Sequence, residues 1–283
     1  MLDYNPIIDL INYNKYQIGI LRLDLIDPEI SGNKWFKLKY NLAEAKKKGK
    51  STIITFGGAF SNHIAATAAA CKQLGFNSIG IIRGDETSSN NSTLLKATEN
   101  GMQLHFVDRI RYKQKDQPEF LSQIQQQYPN CYIIPEGGDN ELGAEGCKEI
   151  LQGKTDDFDI IFCATGTGTT FSGLAQSLKP YQKLYGINVL KFEASSKYEN
   201  SKIINDYHFG GYAKHTQELL EFKYWFETNY HTELDYVYTS KSFYAAFDLI
   251  KKNLLNSNKK ILIIHCGGLQ GNVGYRERYR LSL

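Results

Sequence analysis

A lysine that follows a glycine–asparagine turn is the first candidate for chemistry in this sequence. The stretch "SGNKWFKLKY" places Lys34 directly after Gly32 and Asn33, and Lys37 and Lys39 follow within an amphipathic run. A lysine amine reacts with carbonyl groups when its surroundings keep it unprotonated. Taken alone, however, lysines in a basic segment are usually surface charge.

A loop of small residues late in the chain is the second candidate. The stretch "ATGTGTTFSGL" at 164–174 contains Gly166, Thr167, Gly168, Thr169 and Thr170. Small residues let backbone N–H groups approach an anion, and threonine hydroxyls add donors at a helix N-terminus. Phe171 stands where a dinucleotide fingerprint needs its third glycine. The loop therefore predicts a site for a single phosphate group.

Together, the early lysine and the late loop indicate pyridoxal phosphate as the cofactor. This cofactor needs an anion site for its phosphate and a lysine amine for covalent attachment. The pairing favours a reactive lysine over surface charge, which the lysine segment alone does not.

A parallel sheet must bring the two features together. Strands are predicted at 52–56, 78–83, 103–107, 131–135, 158–164, 184–190 and 261–266. Near-continuous apolar strands separated by helical sequence predict parallel sheets that are covered on both faces. After the first strand, Ser61 is suited to cap a helix N-terminus and Gly75 to end the same helix.

Glycine clusters follow several of these strands. They are "FGGAFSNH", "EGGDNELG", "TGTGTTFSG" and "CGGLQGN". In a parallel α/β sheet such positions share the edge at which ligands bind. Glycine can also serve only to make tight turns between strands and helices. Four clusters at equivalent positions favour one shared ligand site.

Composition argues against several other classes of protein. Lysine plus arginine (33) nearly balances aspartate plus glutamate (30), so we expect no nucleic-acid partner. No apolar run approaches the roughly 18 residues of a membrane span, and the N-terminus lacks a secretion signal. We therefore expect a cytoplasmic protein without a membrane partner. The five cysteines and six histidines show no metal-ligand spacing, so no metal site is predicted.

The ordered motifs resemble those of a known family. They are "SGNKWFKLKY", "GGAFSNHIAATAAA", "PEGGDNELGAEG", "TGTGTTFSGL", "FGGYAK", "DYVYTSKSFYAA" and "IIHCGGLQG". This series, from about Leu21 to Gly271, is similar to the pyridoxal-phosphate enzymes that include D-cysteine desulfhydrase and 1-aminocyclopropane-1-carboxylate (ACC) deaminase. An ordered series is far more specific than any one of its motifs.

The resemblance implies an α/β fold of the tryptophan-synthase-β type (fold type II), with two open, mostly parallel α/β domains. Residues 1–49 and 135–283 would form the large, cofactor-binding domain, and residues 50–134 the small one. A homodimer is expected.

The resemblance also implies roles for residues near the two N-terminal motifs. Lys34 matches the Schiff-base lysine, and Lys37 matches a position that helps to hold the phosphate. Ser61 matches a catalytic serine that contacts the substrate carboxylate. Asn62 matches the asparagine beside the phenolic oxygen of the cofactor, where it also borders the substrate. His63 is assigned to substrate binding, although a first-turn histidine that faces solvent is as good an interpretation.

Residues later in the chain complete the implied site. Tyr212 and Tyr238 match two catalytic tyrosines, the first of which also contacts substrate. Thr239 matches the position that faces the pyridine nitrogen of the cofactor. The phosphate would lie in the loop formed by Gly166, Thr167, Gly168, Thr169 and Thr170.

Three functions follow from this interpretation. The first is a lyase that eliminates the β-substituent of a small amino acid, with D-cysteine converted to pyruvate, ammonia and hydrogen sulfide. The second is an ACC deaminase, which opens a cyclopropane ring to give 2-oxobutyrate and ammonia. The third is a non-catalytic protein that binds a phosphate ligand. Thr239 favours the first, because the deaminase branch carries a glutamate at this position and the desulfhydrase branch a threonine.

Overall fold

The structure, a computed structural model, describes residues 4–85 and 91–281. The described strands are β1 Ile8–Tyr13, β2 Tyr16–Arg22, β3 Thr52–Gly58, β4 Asn77–Arg83, β5 Met102–Val107, β6 Cys131–Ile134, β7 Ile160–Thr165, β8 Lys183–Asn188, β9 Ser201–Ile204 and β10 Ile261–His265. The described helices are α1 Asn33–Lys47, α2 Asn62–Leu74, α3 Ser92–Glu99, α4 Arg109–Tyr112, α5 Pro118–Gln127, α6 Glu141–Cys147, α7 Thr169–Ser177, α8 Gln217–Tyr230, α9 Thr239–Lys251 and α10 Gly271–Tyr279. All seven predicted strands are present, with ends that move by a few residues.

The larger sheet has six strands in the order β1-β2-β10-β7-β8-β9. Only β1 and β2 pair antiparallel, and the other neighbours are parallel. The mostly parallel sheet that the sequence predicts is therefore confirmed. The sequence missed β1, β2 and β9.

The smaller sheet has four parallel strands in the order β5-β4-β3-β6. Its strands all lie within residues 52–134, whereas the strands of the larger sheet lie at 8–22 and 160–265. We propose that the small domain spans 50–134 and that the large domain combines 1–49 with 135–283, because each sheet then belongs to one domain.

Helices cover both faces of the larger sheet. Alternate side chains of β10 point to opposite sides, with Leu262 and Ile264 in one apolar cluster and Ile261 and Ile263 in another. The first cluster includes residues of α1 and α7, and the second includes α8 and α9. Because both faces are buried, nearly every position of this strand is apolar.

The helix after β3 begins and ends where the sequence predicts. The Ser61 hydroxyl accepts a hydrogen bond from the Ile64 N–H at 3.3 Å, and Gly75 ends α2 in the left-handed conformation with a φ of 76°. This geometry places the N-terminus of α2 at the carboxyl end of β3.

Candidate active site

A cavity of about 850 Å³ lies where the carboxyl ends of strands from both sheets meet. Its size suits a small-molecule site. Segments that follow β3, β7 and β10 line it, as the glycine clusters predict. Every predicted site residue except Thr169 and Thr239 contributes to this lining.

The turn before the candidate lysine is held against the end of β10. Gly32 has a φ of 75°, and a Cβ atom at this position would clash with the carbonyl oxygen of Cys266. The Asn33 N–H donates to the same oxygen at 3.1 Å. Only glycine fits this close approach. The turn thereby places Lys34 in the first turn of α1, at the carboxyl edge of the larger sheet.

The Lys34 amine is oriented by a short chain of polar groups. It donates to Asn33 Oδ1 at 2.7 Å, and Asn33 Nδ2 donates to Thr170 Oγ1 at 2.8 Å. Thr170 therefore fixes which end of the Asn33 amide points at the lysine. Burial, reinforced by the charge of Lys37, lowers the pKa of Lys34 from 10.5 to about 8. More of this amine is unprotonated near neutral pH than of a surface lysine.

The next two lysines lie in different surroundings. Lys37 is buried and donates from Nζ to the carbonyl of Gly137 at 2.9 Å, and burial lowers its pKa. Lys39 forms an ion pair with Glu149 and does not line the cavity. The structure thus brings two of the three lysines to the site and leaves the third outside.

The predicted phosphate loop lies at the N-terminus of α7. Gly168 precedes this helix with a φ of 94°, and no side chain caps its first N–H groups. Lys37 Nζ lies 3.5 Å from Thr167 Oγ1, so a cation and uncapped N–H groups meet at one place. Such a place binds anions. The Thr169 hydroxyl donates to Asp139 Oδ1 at 2.6 Å and does not line the cavity.

His63 is buried and lines the cavity, so the solvent-facing interpretation is wrong. The Thr55 hydroxyl donates to the carbonyl of Ile134 at 2.8 Å. In its 2.9 Å contact with Thr55 the Nε2 atom of His63 must therefore be the donor. Nδ1 then carries a lone pair, and it has no hydrogen-bond partner among the described residues. Burial and the charges of Lys37 and Lys34 keep the pKa of His63 well below its usual value, so the ring is neutral.

Ser61 and Asn62 line the cavity where α2 begins. Ser61 accepts the capping hydrogen bond from Ile64, which leaves its own proton free for another partner. Asn62 Oδ1 accepts from Gln270 Nε2, so the start of α2 is tied to the segment after β10. A helix N-terminus with a free hydroxyl is suited to a carboxylate.

Tyr212 and Tyr238 meet at the cavity, with ring centroids 6.1 Å apart. Partial desolvation by the walls of the cavity raises the pKa of both residues, although Tyr212 is 45% exposed. The charge of Arg83 and the interaction with Tyr238 both lower the pKa of Tyr212, and the same interaction raises the pKa of Tyr238. Tyr212 is therefore the more acidic of the two.

The backbone around Tyr212 has an unusual conformation. Positive φ angles occur at Phe209 (50°), Gly210 (89°), Gly211 (104°) and Ala213 (51°). Lys241, which is fully buried on α9, donates from Nζ to the carbonyls of His208 at 2.8 Å and Gly211 at 2.7 Å. Burial lowers the pKa of Lys241 from 10.5 to about 8. One buried amine thus fastens residues 208–213, the Tyr212 loop, to α9.

Thr239 is fully buried at the start of α9. Its hydroxyl donates to Asp235 Oδ1 at 2.8 Å and accepts from the Asp235 N–H at 2.7 Å. The hydroxyl proton is therefore directed at a carboxylate rather than into the cavity. A hydrogen bond from Thr239 to a ligand would require this contact to be exchanged.

Sequence reasoning missed several groups that the structure brings to the site. Asn33 and Lys241 orient predicted residues, and Arg83 and Tyr112 line the outer cavity. Arg83 could have been found, because it ends a predicted strand at the same edge as the glycine clusters. Tyr112 lies on a short helix that carries no such signal.

The lysine and the anion site together fit pyridoxal phosphate. Lys34 has a lowered pKa at one place in the cavity, and uncapped N–H groups with Lys37 lie at another. The Nδ1 atom of the neutral His63 ring adds a buried acceptor that has no partner among the described residues. These are the features that an enzyme needs if it attaches its cofactor through a lysine and holds the cofactor phosphate at a helix N-terminus.

Comparisons with known proteins support the same class. The family model described as "Pyridoxal-phosphate dependent enzyme" matches residues 6–197. A putative ACC deaminase of Pyrococcus furiosus is 34% identical over 92% of this chain and 87% of its own. A bifunctional D-cysteine desulfhydrase/ACC deaminase of Arabidopsis thaliana, described as mitochondrial, is 31% identical over 91% of this chain and 74% of its own.

A solved structure, a homologue of ACC deaminase, superposes with a TM-score of 0.83 at 28% identity, covering 98% of this chain and 93% of its own. The chain therefore belongs to the pyridoxal-phosphate-dependent ACC deaminase/D-cysteine desulfhydrase family, with fold type II architecture. This family consists of enzymes, so the interpretation as a non-catalytic binding protein is not retained.

Among residues 4–85 and 91–281, no helix has the length and apolar character needed to cross a membrane. The same residues contain no cluster of three or more acidic, histidine or cysteine side chains that could hold a metal ion.

Proposed function

We propose that the protein eliminates the β-substituent of a small amino acid, with D-cysteine as the leading substrate and pyruvate, ammonia and hydrogen sulfide as products. The observation that carries this proposal is the Lys34 amine, whose pKa falls to about 8 in a cavity that two neighbouring tyrosines also line. We further propose, from the family resemblance, a cytoplasmic homodimer.

Lys34 would act first as the attachment point and then as the base. Pyridoxal phosphate, when bound, withdraws electrons from the substrate Cα and so makes its proton removable. As a free amine with a pKa near 8, Lys34 would be suited to remove that proton. Its hydrogen bond to Asn33 Oδ1 limits the directions in which the amine can point.

Other residues would hold the two charged groups. Lys37 and the N–H groups at the start of α7 would bind the cofactor phosphate. Ser61 would donate its free proton to the substrate carboxylate, next to the N-terminus of α2. Asn62 would lie beside the phenolic oxygen of the cofactor.

The tyrosines would complete the elimination. Lys34 would take the proton from Cα, and the Cβ–S bond would break with its electron pair remaining on sulfur. Tyr212, the more acidic tyrosine, would protonate the departing sulfur, and Tyr238 would position Tyr212. The unsaturated product then takes up water and yields pyruvate and ammonia.

Thr239 supports D-cysteine over ACC. Ring opening without an easy leaving group needs a strong electron sink, which a carboxylate at the pyridine nitrogen would provide. Thr239 would supply a neutral hydroxyl in exchange for its contact with Asp235, and Glu136 is the only carboxylate in the described lining of the cavity. A thiolate leaving group relieves the charge and tolerates a weaker sink.

ACC deaminase remains the second candidate. It is favoured by the names of the relatives, which include putative ACC deaminases and one bifunctional enzyme. A panel of D-cysteine, L-cysteine and ACC distinguishes the two functions, with sulfide, pyruvate and 2-oxobutyrate measured as products. We expect sulfide and pyruvate from D-cysteine and little 2-oxobutyrate from ACC. Efficient 2-oxobutyrate production with no sulfide from either cysteine enantiomer would refute the proposal.

A further inference from the structure

The mouth of the cavity carries cations that the proposed chemistry does not use. The cationic mouth consists of Arg83, Arg109, Lys113, Lys115 and Arg278. Lys115 lies 2.7 Å from an Asp116 oxygen and 3.5 Å from a Glu136 oxygen. The other four cations form no ion pair with any residue in 4–85 or 91–281. Among the residues that the structure describes, the mouth therefore has a surplus of positive charge.

Arg83 is held in place by an aromatic ring. It is the last residue of β4, and its guanidinium lies 5.6 Å from the centroid of the Tyr112 ring. A Cβ atom added at Gly58 would lie 3.3 Å from Arg83 Nη2, so the guanidinium also borders the end of β3. Its position next to Gly58, three residues before Ser61, puts a fixed cation close to the proposed carboxylate site.

Tyr112 supplies an independent sign of a ligand. It is only 3% exposed, it lines the cavity, and its hydroxyl has no hydrogen-bond partner among the described residues. Burial, the charge of Glu136 and a long contact with the Glu136 carboxylate raise the pKa of Tyr112, so it keeps its proton. The contact with Glu136 does not meet the geometry of a hydrogen bond, and an acceptor on a ligand would replace it. A buried hydroxyl without a partner costs free energy until an acceptor arrives.

An amino acid with a neutral side chain would not use this arrangement. Its one carboxylate would go to Ser61 and the start of α2, near Arg83, and Arg109, Lys113 and Arg278 would face no anion of the ligand. We propose that the preferred substrates carry a second acidic group, a carboxylate or a phosphate, on the side chain. Arg83 and the Tyr112 hydroxyl would bind that group, with Arg109, Lys113 and Arg278 around it. This inference rests on the proposed β-elimination, and it implies that D-cysteine, whose side chain carries no carboxylate or phosphate, is used less well than an amino acid with an acidic β-substituent.

Paired probes of matched shape test the inference. Aspartate is compared with asparagine, and O-phosphoserine with serine, each as both enantiomers, by calorimetric titration of the holoenzyme. We expect the acidic member of each pair to bind about tenfold tighter for at least one enantiomer, since several partly exposed ion pairs contribute. The preference should shrink at high salt, because exposed charges are screened.

Two variants test whether Arg83 is responsible for the tighter binding of the acidic probes. Arg83→Met should reduce it several-fold, whereas Arg111→Met should leave it unchanged. Arg111 is the matched control because it is an exposed cation on the same short helix as Arg109 but lies outside the cavity lining.

Equal affinities within both pairs would overturn the inference, as would an absence of binding by all probes. A preference that Arg83→Met does not alter would also overturn it. D-cysteine and ACC turnover, measured separately by their products, reports on the proposed function. If neither D-cysteine nor ACC is turned over but the acidic probes still bind more tightly, the proposed function fails and the acidic preference stands. If turnover is found but the acidic probes bind no more tightly, only the inference fails.

Discussion

Replacing Lys241 by methionine tests whether one buried amine positions Tyr212. The amine donates to the carbonyls of His208 and Gly211, in a loop that has four positive φ angles. Non-glycine residues such as Phe209 and Ala213 are strained in this conformation. Methionine has a similar length but no donor, so both carbonyls lose their partner. We expect the Tyr212 loop to open more often.

Lys241 makes two opposing contributions to the free energy of unfolding. Two hydrogen bonds from a charged donor contribute roughly 3 to 6 kcal/mol to keeping the loop closed. Against this, burial lowers the pKa of Lys241 from 10.5 to about 8. Holding the ammonium in the folded state therefore costs about 3 kcal/mol at neutral pH. The variant loses the first contribution and is relieved of the second, so its global stability should fall by at most about 3 kcal/mol.

The pH dependence has a defined direction. Between about pH 8 and 10.5 the unfolded wild-type chain binds more protons at Lys241 than the folded chain does. The cost of the buried charge therefore disappears as pH rises through this window, and the wild type gains stability from this group. Lys241→Met should lack that gain. Urea unfolding of both proteins at pH 7 and pH 9.5 measures the difference.

Hydrogen exchange and kinetics provide the local assay. Amides of residues 209–213 should exchange about a hundredfold faster or more in Lys241→Met, and kcat should fall while cofactor retention stays the same. Lys223→Met is the matched control, since Lys223 is also a buried helical lysine but pairs with Glu227. Unchanged exchange at 209–213, or equal effects of both variants, would refute the positioning role.

Three further predictions concern the predicted site residues. Lys34→Ala should abolish the absorbance of the attached cofactor, whereas Lys39→Ala should keep it, because Lys39 pairs with Glu149 outside the cavity; the opposite spectra would contradict the assignment. Replacing Thr169 and Thr170 by valine should weaken cofactor retention by roughly 1.5 to 3 kcal/mol, for one lost hydrogen bond to a charged group. The loss should come from Thr170, which lines the cavity, because the Thr169 hydroxyl donates to Asp139. Circular dichroism checks that the double variant folds, and unchanged cofactor affinity would count against the phosphate loop. Ser61→Ala should lower turnover more than cofactor affinity; a variant that loses cofactor but regains full activity on resupply would show that Ser61 does not contact substrate.

Burial decided which strands could be read from the sequence. β7 and β10 are buried at every position, so they appear as continuous apolar runs. β1 and β9 are edge strands with half-exposed residues, and β9 has only four residues, so their apolar signal is weak. β2 is central, but Gly19 interrupts its pattern, because the Phe158 ring packs where a side chain would be.

The sequence motifs predicted most of the residues that line the site. They did not predict the contacts between segments that are distant in sequence. Lys34, Ser61 and Tyr238 line the cavity as the resemblance implies. The Thr239 hydroxyl bonds to Asp235, four residues earlier, which the motif alone does not indicate. Lys241 reaches a loop about thirty residues away in sequence. Such pairings depend on the tertiary fold and leave no local periodicity.

The lining of the cavity has consequences for how this enzyme could change during evolution. Four of the five cations at the mouth lie between residues 83 and 115, in the segment that builds the smaller sheet. The proposed attachment lysine, the anion loop and both tyrosines lie outside that segment, whereas Ser61 and Asn62 lie in it, before β4. Residues 77–127 thus contain most of the cationic mouth and none of the proposed catalytic residues. Recombination that exchanged residues 77–127 between two relatives would transfer the substrate specificity of one parent to an enzyme with the catalytic residues of the other.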